Sequence, residues 1–237
     1  MTDVLDLSHH NEVASFDAIR KSGIVGIIHK ASEGSDYVDP TYAPRRVQAK
    51  AAGLLWGAYH FLRPGDQKEH AAHFIKSASP AVDDLICADH EDNTMSLSDL
   101  QAFLAAVYAL TQRRAVIYSG HLIKEQVGAR TLPGLAAHQL WIAHYTSGQP
   151  SWPTETWPHY FLWQYTDKGS APGVSGWVDC NTTQLSETQL RDVWAGRGTN
   201  HGDPGPTPPA EDMVVTIRVQ APPGVIVNVV QDPVQQG

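Results

Sequence analysis

Cysteine is scarce in this sequence. Among 237 residues there are two, Cys87 and Cys180, far apart and in no C-x-x-C pair. That excludes a disulfide framework and a zinc knuckle, and reads as two free thiols in a reducing compartment. Long apolar runs are absent too: no stretch approaches the ~20 residues that a membrane-spanning helix needs. Positive charge is in deficit, with 17 Lys and Arg against 25 Asp and Glu, a net −8 with histidine neutral. Nucleic acid demands a basic face and anionic membrane attracts one, so neither nucleic-acid binding nor membrane insertion is expected. The opening MTDVLDLSHHN carries neither the basic stretch nor the apolar core of a secretory signal.

What is present is 42% hydrophobic residues, distributed in short segments. Residues 4–7, 25–28, 54–61, 85–88, 115–118, 140–143, 160–163 and 176–178 with its continuation read as eight strands. The early ones are continuous apolar runs, as in parallel strands buried on both faces. Their starts lie roughly thirty residues apart or a little less, the length of a βα unit. Asp66-Gln67-Lys68-Glu69 has capping-box spacing ahead of Ala71, Ala72, Phe74 and Ile75. Leu100, Phe103, Leu104, Val107 and Leu110 follow the spacing of an amphipathic helix, and a last helix is expected from Ser186 to Trp194. The later gaps differ. Residues 146–159 hold Gly148, Pro150, Pro153 and Pro158, and 166–175 hold Gly169, Pro172 and Gly173, so neither can house a regular helix. The pattern is an α/β chain of about five β/α units followed by strands on irregular loops, closing into a barrel short of helices on its last side. That barrel is expected to occupy residues 1–196. Residues 197–211 form a Gly/Pro-rich linker. Residues 212–237 hold two β-branched runs around Pro222-Pro223-Gly224, a short C-terminal β-hairpin extension. An isolated hairpin is marginal in water, so it should dock on another surface.

Four acids fall at expected strand ends: Asp6 at the first, Asp89 and Glu91 at the fourth, Asp179 at the eighth. The carboxyl end of the strands is where β/α barrels build active sites. Strands one and eight adjoin in a closed ring, so Asp6 and Asp179 are expected side by side. Alternation along a strand turns Asp89 and Glu91 one way and His90 the other. Like charges at close range raise the pKa of at least one partner. A carboxylic acid kept protonated near neutral pH is the general acid that glycosidic cleavage requires. Tyr59, Phe61, Tyr118, Trp141, Tyr145, Trp163 and Tyr165 gather at the same ends, a rim suited to stacking sugar rings. About half of them should be core, Phe61 and Trp163 first. His9, His10, His60, His90 and His144 also lie near strand ends, which raises a metal-dependent hydrolase as an alternative. No H-x-H follows the first strand and no H-E-x-x-H occurs, so no metal and no cofactor is expected. A barrel that grips glycan without cutting it is the other alternative, disfavoured by the paired acids.

Over residues 3–195 these motifs resemble, in order, glycoside hydrolase family 25, the Chalaropsis-type lysozymes found among phage endolysins and bacterial muramidases. Asp6-Leu-Ser-His-His-Asn11 is similar to the family's D-x-S-x-x-N/Q opening, and Ile28-His-Lys-Ala-Ser-Glu-Gly34 with Tyr37 and Asp39-Pro40 to its K-A-T-E-G…Y-x-D-P segment. Gly57-Ala-Tyr-His-Phe61, Asp89-x-Glu91, Trp141-Ile-Ala-His-Tyr145, Trp163-Gln-Tyr165 and Val178-Asp179-Cys-Asn181 resemble its later strands. The resemblance implies a flattened TIM-like (β/α)5β3 barrel. It also implies cleavage of the β-1,4 bond between N-acetylmuramic acid and N-acetylglucosamine in peptidoglycan glycan strands. Glu91 would be the acid/base, with Asp89, Asp6 and Asp179 around the sugar at the cleavage point. Lys30, Glu33, Tyr59, Tyr118, Trp141 and Tyr145 would line the groove. Whether a carboxylate or the substrate's acetamido group attacks the anomeric carbon is left open. His90 departs from the small apolar residue usual between the two acids and should point away from the groove. A chitinase-type barrel would need D-x-x-D-x-D-x-E, and Cys87 stands where its middle Asp belongs. As an endolysin without a secretory signal, the protein is expected in the host cytoplasm until it is released to the cell wall. Self-association or docking on virion or wall is expected of its tail.

Overall fold

A computed structural model describes residues 4–195; the linker and hairpin expected further on lie outside the described residues. In chain order the elements are β1 (Val4–Leu7), β2 (Glu12–Val13), α1 (Phe16–Lys21), β3 (Gly26–Glu33), β4 (Tyr37–Val38), α2 (Tyr42–Ala51), β5 (Leu55–Phe61), α3 (Gln67–Ala78) and β6 (Leu85–Asp89). There follow α4 (Leu97–Thr111), β7 (Val116–Ser119), α5 (His121–Val127), α6 (Pro133–Ala136), β8 (Leu140–Ala143), β9 (Leu162–Gly169), β10 (Val174–Ser175), β11 (Val178–Thr182) and α7 (Glu187–Trp194).

Eight of these strands close a ring in the order β1, β11, β9, β8, β7, β6, β5, β3, sealed by the β1–β3 pairing. Helices follow each of the first five barrel strands and none separates the last three, the (β/α)5β3 pattern. Short β4 extends the end of β3, and β2 pairs with β10 in a separate ribbon. The eighth strand departs from expectation. It spans Val178–Thr182 and runs antiparallel to both β9 and β1. Only residues 170–177 separate it from β9. That is too short for the crossover of a dozen or more residues that a parallel return demands. Asp179 therefore sits near the start of its strand, not at its end. Because the strand is reversed, that start lies at the same barrel mouth. The seventh strand is longer than the expected 160–163, reaching Gly169.

Alternation sorts the residues into two layers. Leu5, Ile27, Trp56, Ala58, Ile86, Ala88, Ile117 and Ile142 face outward and pack with Phe74, Phe103, Leu104 and Val107 of α3 and α4. Val4, Ile28, Leu85, Cys87, Val116, Tyr118, Trp141 and Leu162 fill the interior together with Leu190, Val193 and Trp194 of α7. The helix ends follow sequence rules. Asp66 accepts from the Lys68 and Glu69 N–H groups to cap α3, and Ser186 forms a reciprocal capping box with Gln189 for α7. His60, on the outer face of β5, is fully buried between Ser32 and Phe103, and burial pushes it down to about 3, so it is a neutral structural imidazole.

The closed end of the barrel is plugged by Trp194. Its Nε1 donates to the Trp56 carbonyl at 2.7 Å, and a Cβ on Gly26 would lie 2.9 Å from its Cη2. The glycine is thus a condition of the indole's seat. Trp194→Ala should lower unfolding stability by ~3–5 kcal/mol, the range for deleting a buried aromatic. Urea unfolding followed by tryptophan-independent circular dichroism checks this, and a loss of ~0.5 kcal/mol, typical of a surface change, would remove Trp194 from the core.

Candidate active site

The open end carries the four acids. Asp6 and Asp179 are direct cross-strand partners on β1 and β11. Asp89 ends β6, and Glu91 follows two residues later. Counted round the ring, β6 stands opposite β11, so the Asp89/Glu91 pair faces the Asp6/Asp179 pair across the mouth. Asp6 and Asp89 are sunk in the floor at 7% and 4% exposure. Glu91 is flanked by protein on most sides yet is reached by solvent, so it lies on the open surface of the cleft. His90 turns outward and pairs with Gln126 Oε1 at 2.8 Å.

Within each pair the carboxyls are close enough to act on one another: Glu91 raises Asp89, and Asp179 raises Asp6. Burial first, and then the neighbouring carboxylate, hold Asp6 and Asp89 well above the usual carboxylate range. Burial likewise raises Glu91, with Asp179 across the cleft adding to it, and raises Asp179, with Asp167 adding to it.

Two amide side chains hold Asp6. Gln164 Nε2 and Asn181 Nδ2 both donate to its Oδ2, at 2.9 and 2.8 Å. The amides are themselves fixed. Gln164 Oε1 accepts from the Tyr118 and Tyr145 hydroxyls at 2.8 and 2.7 Å, and Asn181 Oδ1 accepts from Trp141 Nε1 at 2.6 Å.

On the adjacent wall a bulge near Ala31 adds one residue to β3 relative to β5, between the pairs Lys30↔Tyr59 and Ser32↔His60. Residues three apart on a regular strand point to opposite faces. The extra residue brings Lys30 and Glu33 to one face instead, where they form an ion pair. Arg63 binds the other oxygen of Glu33 at 2.7 Å and Asp92 at 2.8 Å. Burial opposes ionisation of Glu33, but the Lys30 and Arg63 bonds hold its pKa below the usual value. Phe61 lies between the two cations, 5.0 Å from Lys30 and 4.6 Å from Arg63. Expected as core, it is a half-buried rim residue instead, because the β5 alternation that buries Ala58 and His60 outward turns Phe61 to the mouth.

The residues expected to line the groove separate into two sets. Lys30, Glu33 and Tyr145 reach the rim, and Tyr59 is half-buried just below it. Tyr118 and Trp141 are interior, their rings 4.4 Å apart beneath the acids, where they orient Gln164 and Asn181. Gln164, Asn181 and Arg63 were not anticipated. The signal for the first two was a carboxamide at an inward position of a buried strand, which must find partners. Arg63 had no such signal, since it lies beyond the strand end. Among the described residues no cluster of His, Cys, Asp or Glu is placed to hold a metal ion.

The sequence profile described as glycosyl hydrolases family 25 matches residues 5–174. The autolytic lysozyme of Clostridium acetobutylicum is 31% identical over 185 residues, which cover 74% of this chain and 53% of that protein, so the chain spans about half of its length. The crystal structure of a bacterial lysozyme from Streptomyces coelicolor is similar at a TM-score of 0.76 and 27% identity, covering 84% of this chain and 100% of that one. The CTP1L endolysin is similar at a TM-score of 0.67 and 27% identity, covering 81% of this chain and 70% of that one.

The raised acids have a stability consequence. A carboxyl whose folded pKa lies above its unfolded value stabilises the fold at low pH, and that contribution is lost as pH rises through the folded pKa. Asp89→Asn removes one such group. It should raise stability at pH 8 by on the order of 1 kcal/mol, the worth of one pKa unit, and much less near pH 4, where the carboxyl is already protonated. Melting curves at the two pH values check it; a gain equal at both would separate Asp89 from the ionisation of the cluster.

Proposed function

The chain belongs to glycosyl hydrolases family 25, and on that footing we propose that it is an N-acetylmuramidase that cuts the β-1,4 bond between N-acetylmuramic acid and N-acetylglucosamine in peptidoglycan. The observation that carries the reading is two carboxyl pairs facing one another across a barrel mouth, with all four groups raised above their usual range. A pair that keeps a proton at neutral pH supplies an acid, and an opposing pair that keeps negative charge receives a cation. The relatives' lysozyme activity points to the same bond type.

In this mechanism Glu91 is the acid. It is the member of its pair that solvent, and hence a glycan strand, can reach. Burial, with Asp179 across the cleft, keeps Glu91 above the usual carboxylate range, and buried Asp89 beside it is raised further still. Glu91 gives its proton to the glycosidic oxygen as the bond breaks, and its carboxylate then takes a proton from the water that completes hydrolysis. Asp6 and Asp179, on the facing wall, stabilise the positive charge that grows at the anomeric carbon. The Gln164 and Asn181 amides keep Asp6 aimed while this happens. Glu91→Gln should fold normally and lose ~10²–10⁴-fold in turnover, the worth of general acid catalysis. Mass spectrometry of digested peptidoglycan should show new N-acetylmuramic reducing ends with the wild-type chain and, at equal time and enzyme, a yield with the variant reduced by that factor. Other reducing ends would assign a different bond.

We further propose a lytic role of the endolysin kind, supported by the likeness to the CTP1L endolysin. The chain should then stay inside the producing cell until the membrane is breached. Fractionation of cells expressing it alone should find it inside; efficient export would overturn this role. Docking of residues 212–237 on a second copy, or on wall or virion, is proposed from their sequence pattern alone.

A further inference from the structure

Above the Asp179 wall stands a side chain that the mechanism does not use. Trp177 is 69% exposed, immediately before β11. It continues the alternation of Asp179 and Asn181, and Asn181 faces the barrel interior, where it binds Asp6 and Trp141. The extra residues that shift the β9–β11 register fall on β9, so this alternation along β11 is unbroken. Trp177 is thus on the cleft side, one step outward from the acid. Its backbone is held: Gly176 before it has φ +77°, its carbonyl accepts from Asn11 Nδ2 at 3.5 Å, and β10 just upstream is tied to β2 by the Val174–Val13 and Ser175–Glu12 pairs. Lys168 at the outer end of β9 sets its ammonium 5.4 Å from the indole centroid. An anchored, open indole flanked by a cation therefore continues the cleft beyond the wall opposite Glu91.

We propose that Trp177 and Lys168 form an outlying subsite for the glycan strand. The indole stacks one face of a pyranose ring away from the cleaved bond, and the Lys168 ammonium pairs with a carboxylate carried on a peptide substituent of that stretch. The other cations at the rim, Lys30 and Arg63, are already paired with Glu33 and Asp92, so an anionic substituent finds its favourable place beside Lys168. The inference rests on the muramidase reading for the identity of the strand. An aromatic face suits a saccharide because its negative π-surface meets the ring's C–H groups, as it meets cations.

The test uses the full chain in the inactive Glu91→Gln background, with purified long glycan strands, with and without peptide substituents, as the probes. Trp177→Ala should weaken strand binding about tenfold, a ~1.4 kcal/mol change, and Trp177→Phe should restore most of it. Lys168→Gln should weaken binding of peptide-bearing strands more than of stripped ones. In the active chain the Trp177→Ala loss should fall on KM and not on kcat. Equal strand affinity of Trp177→Ala and its parent would overturn the subsite. So would a drop in melting temperature and kcat shared by the Ala and Phe variants, since that marks a structural role. Failure of the wild-type chain to cut glycan would overturn the muramidase reading instead, because the binding arm involves no cleavage.

Discussion

Everything at the open end of this barrel follows from the repulsion among four carboxyl groups in one desolvated mouth. Left alone, such a cluster would take up protons until its charge vanished, or the mouth would open to water. Here the acids stand in two pairs, each carboxyl is pushed above its usual range, and oriented dipoles meet the charge of Asp6. Gln164 and Asn181 supply two N–H groups to a single oxygen of Asp6, and three aromatic side chains supply the hydrogen bonds that stop either amide from turning over. Lys30 answers the other pair from the side, itself held by Glu33 and, through it, by Arg63. These side chains are held because Gln164, Asn181 and Lys30 are each tied to a second side chain besides the acid they face, which is what preorganisation of an electrostatic site means physically.

The ring determines which acids meet. Eight strands put β6 and β11 on opposite walls, so the two pairs face each other and do not merge into one cluster of four. Reversal of the last strand is essential to this. A parallel β11 with the same sequence would place Asp179 near the closed end, beneath the hydrophobic interior. The short β9–β11 link makes the antiparallel return obligatory, and the same reversal lifts Trp177 above the rim.

Much of this was readable from the residues. Continuous apolar runs at βα spacing gave the parallel strands, and the proline-rich gaps late in the chain gave the helix-poor side. Two-residue alternation put Asp89 and Glu91 on one face and His90 on the other, and ring closure put Asp6 beside Asp179. What stayed hidden depended on geometry that no local pattern encodes. The direction of β11 follows from a loop length measured against a strand end that lies at Gly169 and not at the expected residue 163. The bulge at Ala31 has no glycine to announce it. Tyr118 and Trp141 read as groove residues because their distance from the axis is a property of the barrel, and one turn of the pleat decides whether a ring stacks on sugar or holds an amide from below. Phe61 erred in the opposite direction for the same reason.

The plug at the closed end gives the molecule a handedness of attachment. β1 begins at that end, β11 finishes there, and α7 lies beneath it with Trp194 against Gly26 and Trp56. The described stretch therefore enters and leaves the barrel on the side away from the acids. A surface, bead or fused partner joined at either point would pull along the barrel axis from below and leave the mouth facing outward. Joining residue 4 to residue 195 by a short bridge and opening the ring at an outer loop would likewise give a permuted chain with the cleft untouched. The two ends of the described barrel and its acids are kept at opposite poles by the direction of a single strand.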